Sequence, residues 1–347
     1  MLGCFATDGM KEGPTATAGV IHIAGVYNGV GTSSKRAELP GMYSVYPISA
    51  SSREKHNVSV WDGDHGVQFG GAALDLETGV FVNRTVLPGC GGVVLEQRWY
   101  AHRSHRSLLV HEMELRPPKT HQTYWDADTI LGAACAITFA SCNVAAPNSV
   151  VTNTSTDPAS GTVERSSRTK QSETPTTPLV TIGQVYQPVP PVVTLDRVTN
   201  TRTFLAVLHT SIAAEGSIAH QPLDAARRDL GNFSQHEATL MQSHLRAWDF
   251  LRVSRVELSG SGAVSSAIAT AVNSSMFYLL SAAREDWPYS TSPGGIANNA
   301  YLGCEDVCVR RSACVRASVC VCVRRSVCMR ARKCMCVGDI ACSMQYS

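Results

Sequence analysis

The chain has 347 residues, 44% of them hydrophobic and 17% charged, with a formal net charge of +2, which is long enough for about two domains with buried cores. That charge is the sum of two unlike parts: residues 304–347 hold eight basic and three acidic residues, about +5, which leaves about −3 for residues 1–303. A basic footprint spread over a fold, as nucleic-acid binding would need, is excluded.

The N-terminus, Met1 to Val20, lacks a basic segment followed by an apolar one, so no secretory signal is expected. Only Cys4, Cys90, Cys135 and Cys142 precede position 304, and four scattered thiols suit a reduced, cytoplasmic setting. On that reading the five Asn-x-Ser/Thr sites, at Asn57, Asn83, Asn153, Asn232 and Asn273, are chance occurrences.

From Ala72 to Leu115 the pattern is that of antiparallel strands. Leu74 and Leu76 alternate with Asp75 and Glu77, and Thr78-Gly79 offers a turn before Val80-Phe81-Val82. Val93 to Leu95, Trp99-Tyr100 and Ser107 to Val110 continue the series, and Glu112 and Glu114 face opposite to Met113 and Leu115. The most apolar run, Ile130 to Ala146, is too short and too polar to span a bilayer.

Residues 147–178 are rich in Ser, Thr and Pro and read as a mobile loop. Strands return at Val192 to Leu195 and at Thr203 to His209, the latter apolar on both faces and so expected to be buried on both. Ser234 and Glu237 have capping-box spacing, with Met241, Leu245 and Trp248 following at i, i+4 and i+7, which predicts a helix from about Gln235 to Leu251. After a β-like piece, Val253 to Leu258, and the flexible Gly260-Ser261-Gly262, a second helix of about twenty residues carries Val264, Ile268, Val272 and Leu279 on one side, with Phe277 and Leu280 widening its apolar surface.

Beyond Gly303 the composition is little besides Cys, Val, Arg, Ser, Met and Ala. Nine of the thirteen cysteines lie there, all separated by even steps, and Cys-Val-Arg-Arg-Ser occurs from Cys308 and again from Cys322. An alternating thymine-guanine repeat read in frame gives Cys and Val in alternation, so the tail reads as translated simple-sequence DNA and as disordered. A thiolate metal cluster seeded at Cys320-Val321-Cys322 and Cys334-Met335-Cys336 is the alternative, although neither CxxC pairs nor interleaved histidines accompany it.

Several segments, in order, resemble glycoside hydrolase family 65: Gly25-Val26-Tyr27-Asn28-Gly29-Val30-Gly31, Arg36-Ala37-Glu38-Leu39-Pro40, Leu74 to Gly79, Arg98-Trp99-Tyr100-Ala101-His102-Arg103, Phe277-Tyr278-Leu279-Leu280-Ser281 and Ser292-Pro293-Gly294-Gly295. The likeness covers about residues 20–115 and 185–303. It implies a mainly β fold with C-terminal helices, in which 1–232 is an antiparallel β-sandwich, 233–261 a helical linker, and 262–303 the start of an (α/α)6 barrel. In family members the Tyr-x-Gly that Tyr301 and Gly303 resemble runs into His-x-Phe-Trp-Asp, whereas Cys304-Glu305-Asp306 follows here.

The resemblance further implies a hydrolase that needs no cofactor and removes glucose from glucosyl-galactosyl-hydroxylysine of collagen with inversion. The family's catalytic glutamates fall in sequence this chain does not contain. No catalytic, cofactor-binding or metal-binding residue is therefore assigned, and the chain as written is expected to be inactive. A carbohydrate- or partner-binding sandwich and a non-functional product are the alternatives.

The remaining candidates have plainer readings. Asp62 and Asp64, and Asp126 and Asp128, are too close in sequence to face each other across a cleft and read as turn or surface pairs. His102, His105 and His111 lack metal-ligand spacing and read as hydrogen-bonded or solvated strand residues. Trp248 and Phe277-Tyr278 could stack on sugars, but at helical spacing they read as core.

Overall fold

The computed structural model describes residues 20–29, 35–43, 45–48, 68–116, 134–141, 149–172, 178–196, 200–212, 221–251 and 263–282, together with Arg284 and Trp287. Asp62, Asp64, Asp126, Asp128, the β-like piece at 253–258 and the tail from Cys304 lie outside them.

Period-two alternation builds most of the chain. Five short strands open it: β1 (Val20–Ile21), β2 (Tyr27–Asn28), β3 (Lys35–Arg36), β4 (Leu39–Pro40) and β5 (Val45–Ile48). Four long ones follow, β6 (Gln68–Asp75), β7 (Val80–Leu87), β8 (Val93–Ala101) and β9 (Leu108–Arg116), then β10 (Cys135–Ser141), β11 (Val150–Thr156), β12 (Val163–Thr169), β13 (Thr181–Tyr186), β14 (Val192–Leu195) and β15 (Thr201–Thr210). Three helices close the described chain: α1 (Pro222–Ser234), α2 (Glu237–Leu251) and α3 (Ala263–Ala282).

An eight-stranded sheet in the order β11-β12-β13-β15-β9-β8-β7-β6 is antiparallel throughout, and a three-stranded sheet, β14-β10-β5, packs over part of it. Leu95, Met113 and Leu115 of the large sheet meet Ile137, Phe139, Val193 and Leu195 of the small one, which makes the pair a sandwich with an apolar core. The ribbons β1-β4 and β2-β3 continue this layer, setting Val26, Leu39 and Tyr43 against Trp99, Ile182 and Ala206. On the opposite face, Val110, Val185, Leu205 and Val207 bury Ala226 and Leu230 of α1 and Leu240 of α2. The β15 run Leu205 to Leu208 is therefore covered on both sides, as its unbroken apolar sequence requires.

Gly183 on β13 is where α1 comes down on the sheet: a Cβ there would stand 2.4 Å from the Leu223 nitrogen and the Pro222 carbonyl carbon. Only glycine permits that approach.

Three expectations are corrected. Residues 147–178 contain a strand pair, β11 and β12, joined through the Asp157–Thr162 turn, in which the Asp157 carboxylate accepts the Ala159 N–H at 3.0 Å. Their Ser- and Thr-rich faces are mostly exposed, so they form strands without the apolar alternation that marks β7 and β8. Ser234 does not cap a helix that begins beside it; it ends α1, and its hydroxyl donates to the Leu230 carbonyl oxygen at 2.9 Å. Finally, Cys90 and Cys135 are joined in a disulfide, so the expectation of free thiols fails and with it the thiol argument for a reducing compartment. The bridge ties the turn after β7 to β10 in the other layer.

Candidate functional site at the sheet–helix junction

The large sheet turns two kinds of surface toward the side that carries the helices. Near α1 and α2 it is apolar, but further along β7, β8 and β9 the outward positions are Arg84, Glu96, Arg98, Glu112, Glu114 and Arg116. Register sets Glu96 directly opposite Glu114, a like-charge pair that would repel if left alone. The guanidinium of Arg98 reaches Glu96 at 2.7 Å, pairs with Glu114 and lies 3.5 Å from Glu112, while Arg116 holds Glu96 at 3.1 Å and Glu114 at 3.0 Å. Arg84 donates to the second Glu96 oxygen at 2.7 Å.

Burial by itself would raise the Glu96 carboxyl, but the hydrogen bonds from Arg84 and Arg98 and the charges of Arg98 and Arg116 outweigh it and hold the group below its ordinary value. Glu112 goes the other way: burial raises it, against the Tyr100 hydroxyl that donates to it at 2.8 Å and the nearby Arg98 charge.

Tyr100 leads from this ladder to the helices, where its ring lies 4.5 Å from that of His244 and 6.3 Å from that of His102. His102, at the end of β8, has its Nε2 2.9 Å from the Leu240 carbonyl oxygen of α2 and its Nδ1 accepting the His105 N–H at 3.2 Å. His244 of α2 has its Nε2 2.7 Å from the Thr78 carbonyl oxygen and its Nδ1 accepting the Arg103 N–H at 3.0 Å. Burial lowers both imidazoles to about 4, so both are neutral at neutral pH. Burial also lowers His105, whose ring packs on Phe233.

The sequence candidates are distributed rather than convergent. His111 lies on the opposite face of the sheet from His102, inside the sandwich, stacked on Trp99 at 4.6 Å and 3.3 Å from the Gln97 amide nitrogen. Trp248 stacks on Phe277 at 5.3 Å and both are buried, so they are core, whereas Tyr278 is partly exposed. Among the described residues no group of three or more His, Cys, Asp or Glu could hold a metal ion. Sequence reasoning missed the ladder; its signal was alternation of charge on one face of β8 and β9, visible once both strands are registered.

Inverting glycoside hydrolysis needs an acid and a base about 6.5–9.5 Å apart with substrate and water between them. Glu96 and Glu112 have carboxyls shifted in opposite directions, as such a pair would, yet Arg98 stands between them and binds both. The ion pairs knit β7, β8 and β9 together.

Fold and site together define a two-layer antiparallel sandwich with helices docked on one face, in which Glu96, Glu112 and Glu114 are held by Arg84, Arg98, Arg116 and Tyr100. No protein-family model matches the sequence. The chain is 26% identical over 297 residues to the protein-glucosylgalactosylhydroxylysine glucosidase of Dictyostelium discoideum, a match that covers 82% of this chain and 36% of that protein. It thus spans little more than a third of the relative's length. Among solved structures, one described as a kojibiose phosphorylase from the human microbiome aligns over 74% of this chain and 32% of its own, at 11% identity and a TM-score of 0.41. That sequence relative is in keeping with the resemblance to glycoside hydrolase family 65.

Proposed function

We propose that this chain supplies the scaffold of a family 65 glucosidase, with the sandwich over 1–232, a helical linker over 233–261 and the first barrel helix from 262, and that it carries no catalytic carboxylate of its own. The parent enzyme would remove glucose from glucosyl-galactosyl-hydroxylysine without a cofactor. The observation that carries the reading is the 297-residue similarity to a glucosidase named for that substrate, over only 36% of its length. The engagement of Glu96, Glu112 and Glu114 by Arg84, Arg98, Arg116 and Tyr100 supports it, because none of the three is left to protonate a leaving group.

Incubating the purified 347-residue protein with glucosyl-galactosyl-hydroxylysine should release no glucose. Fusing residues 1–282 to the part of the Dictyostelium relative that lies beyond the match should restore release. Turnover by the 347-residue chain alone would overturn the inactive-scaffold reading, and an inert fusion that folds would overturn the family assignment of its role.

A further inference from the structure

Two imidazoles, one on the sheet and one on α2, form opposite halves of a single joint. His102 belongs to the sheet and binds the helix backbone at Leu240, while His244 belongs to the helix and binds the sheet's β6–β7 turn at Thr78. In each ring both nitrogens are used: Nε2 faces a carbonyl oxygen and must carry the hydrogen, and Nδ1 faces a backbone N–H and must be bare. We propose that His102 and His244 are a proton-operated latch, which docks α2 on the large sheet while both rings are neutral and releases it when they are protonated.

A proton added to either Nδ1 would meet the N–H of His105 or Arg103 head on, so the charged ring loses its acceptor role and gains no partner. The charged groups facing the pair add to this. Arg103 in the β8–β9 turn acts on His244, and Arg284 beyond α3 acts on His102 and His105. His105 lies 4.6 Å from His102, and the two latch rings stand 5.5 Å apart, so each would repel the other's charge. On the β8 side Tyr100 is committed to Glu112, and on α1 Asp229 accepts from His209 at 2.8 Å and acts on His105. From α2, Ser243 presents a neutral hydroxyl 3.0 Å from His102, already donating to Leu240.

The sign follows from the two protonation states. Docked, both rings titrate at about 4; released, they return to the ordinary 6.5. Docking is therefore strongest above pH 6.5 and weakens as pH falls from there toward 4, because the released state takes up the protons.

Hydrogen exchange followed by mass spectrometry on the 347-residue protein, corrected for intrinsic rates between pH 7.5 and 4, tests the latch. Protection in Glu237–Leu251 should fall with pH while β8 and β9 remain protected. His102→Gln and His244→Gln, which keep a side-chain N–H donor but do not titrate, should each remove one proton from that pH dependence. Constant α2 protection, loss of α2 together with β8 and β9, or an unchanged proton count in the Gln variants would each overturn the proposal. If a Gln variant does not fold, the order of loss in the unsubstituted protein decides alone.

Discussion

Gly79 lies directly beneath the indole of Trp248: a Cβ at that position would stand 2.7 Å from the indole nitrogen, and the residue has φ +67°. The turn between β6 and β7 and the last turns of α2 are thus in mutual contact through a residue that has no side chain. Gly79→Ala meets two penalties, the left-handed backbone and the overlap with a ring held between Phe277 and the sheet. The expected loss is about 2–4 kcal/mol of unfolding free energy. Urea denaturation should show the midpoint moving down, while Gly231→Ala, with nothing near its Cβ in α1, should move it up slightly.

How far this joint was legible in the sequence depends on which residues carry it. Leu74, Thr78-Gly79 and Val80 announce the hairpin, because alternation and a turn residue are local signals. Trp248 is placed on a helix by its spacing from Met241 and Leu245, again locally. That Gly79 accommodates Trp248 depends on packing between segments more than 160 residues apart, and no spacing rule reports it. The same limit hid the Cys90–Cys135 bridge. It differs from the failure at α1, where Pro222 at the first turn and Asp224 behind it were a readable start signal. The helix expected over about Gln235 to Leu251 corresponds to α2 (Glu237–Leu251), while α1 (Pro222–Ser234) was passed over.

The disulfide closes a span of 45 residues between the two layers of the sandwich. In the chain-entropy account such a loop contributes roughly 4 kcal/mol. Cys90→Ser with Cys135→Ser should lower the unfolding free energy by about that amount, and a reducing agent should do the same to the unsubstituted protein while leaving the double variant unchanged. Thiol labelling after denaturation without reductant gives the companion measurement: Cys90 and Cys135 should stay unlabelled.

Arg98 is the residue on which three carboxylates depend. Arg98→Leu leaves Glu96, Glu112 and Glu114 clustered with Arg84 and Arg116 alone, and a loss of about 3 kcal/mol is expected at neutral pH. Arg98→Lys should recover little, since one ammonium cannot reproduce a guanidinium that reaches three carboxylates. Glu96 is held below its ordinary value of 4.5, so its contribution is present above that pH and is lost as pH falls through the folded value. The gap between Arg98→Leu and the unsubstituted protein should therefore be widest near pH 7 and should narrow below 4.5, as chemical denaturation at a series of pH values would show.

His111 provides the sandwich with its own acid sensitivity, separate from the joint at α2. Complete burial lowers its imidazole to about 3, against an ordinary 6.5, and its ring is pinned between Trp99 at 4.6 Å and the Gln97 amide. The folded state excludes a proton that the unfolded chain accepts, so stability is full above pH 6.5 and falls as pH drops toward 3, by about 1.4 kcal/mol per pH unit for this one group. His111→Leu removes that slope but strands the Gln97 amide, at about 1–3 kcal/mol. The variant should be less stable than the unsubstituted protein at pH 7.5 and lose stability less steeply on acidification, with the two curves converging near pH 5. A slope unchanged by His111→Leu would mean that the ring is already protonated inside the sandwich, which its stacking on Trp99 and its apolar surroundings argue against.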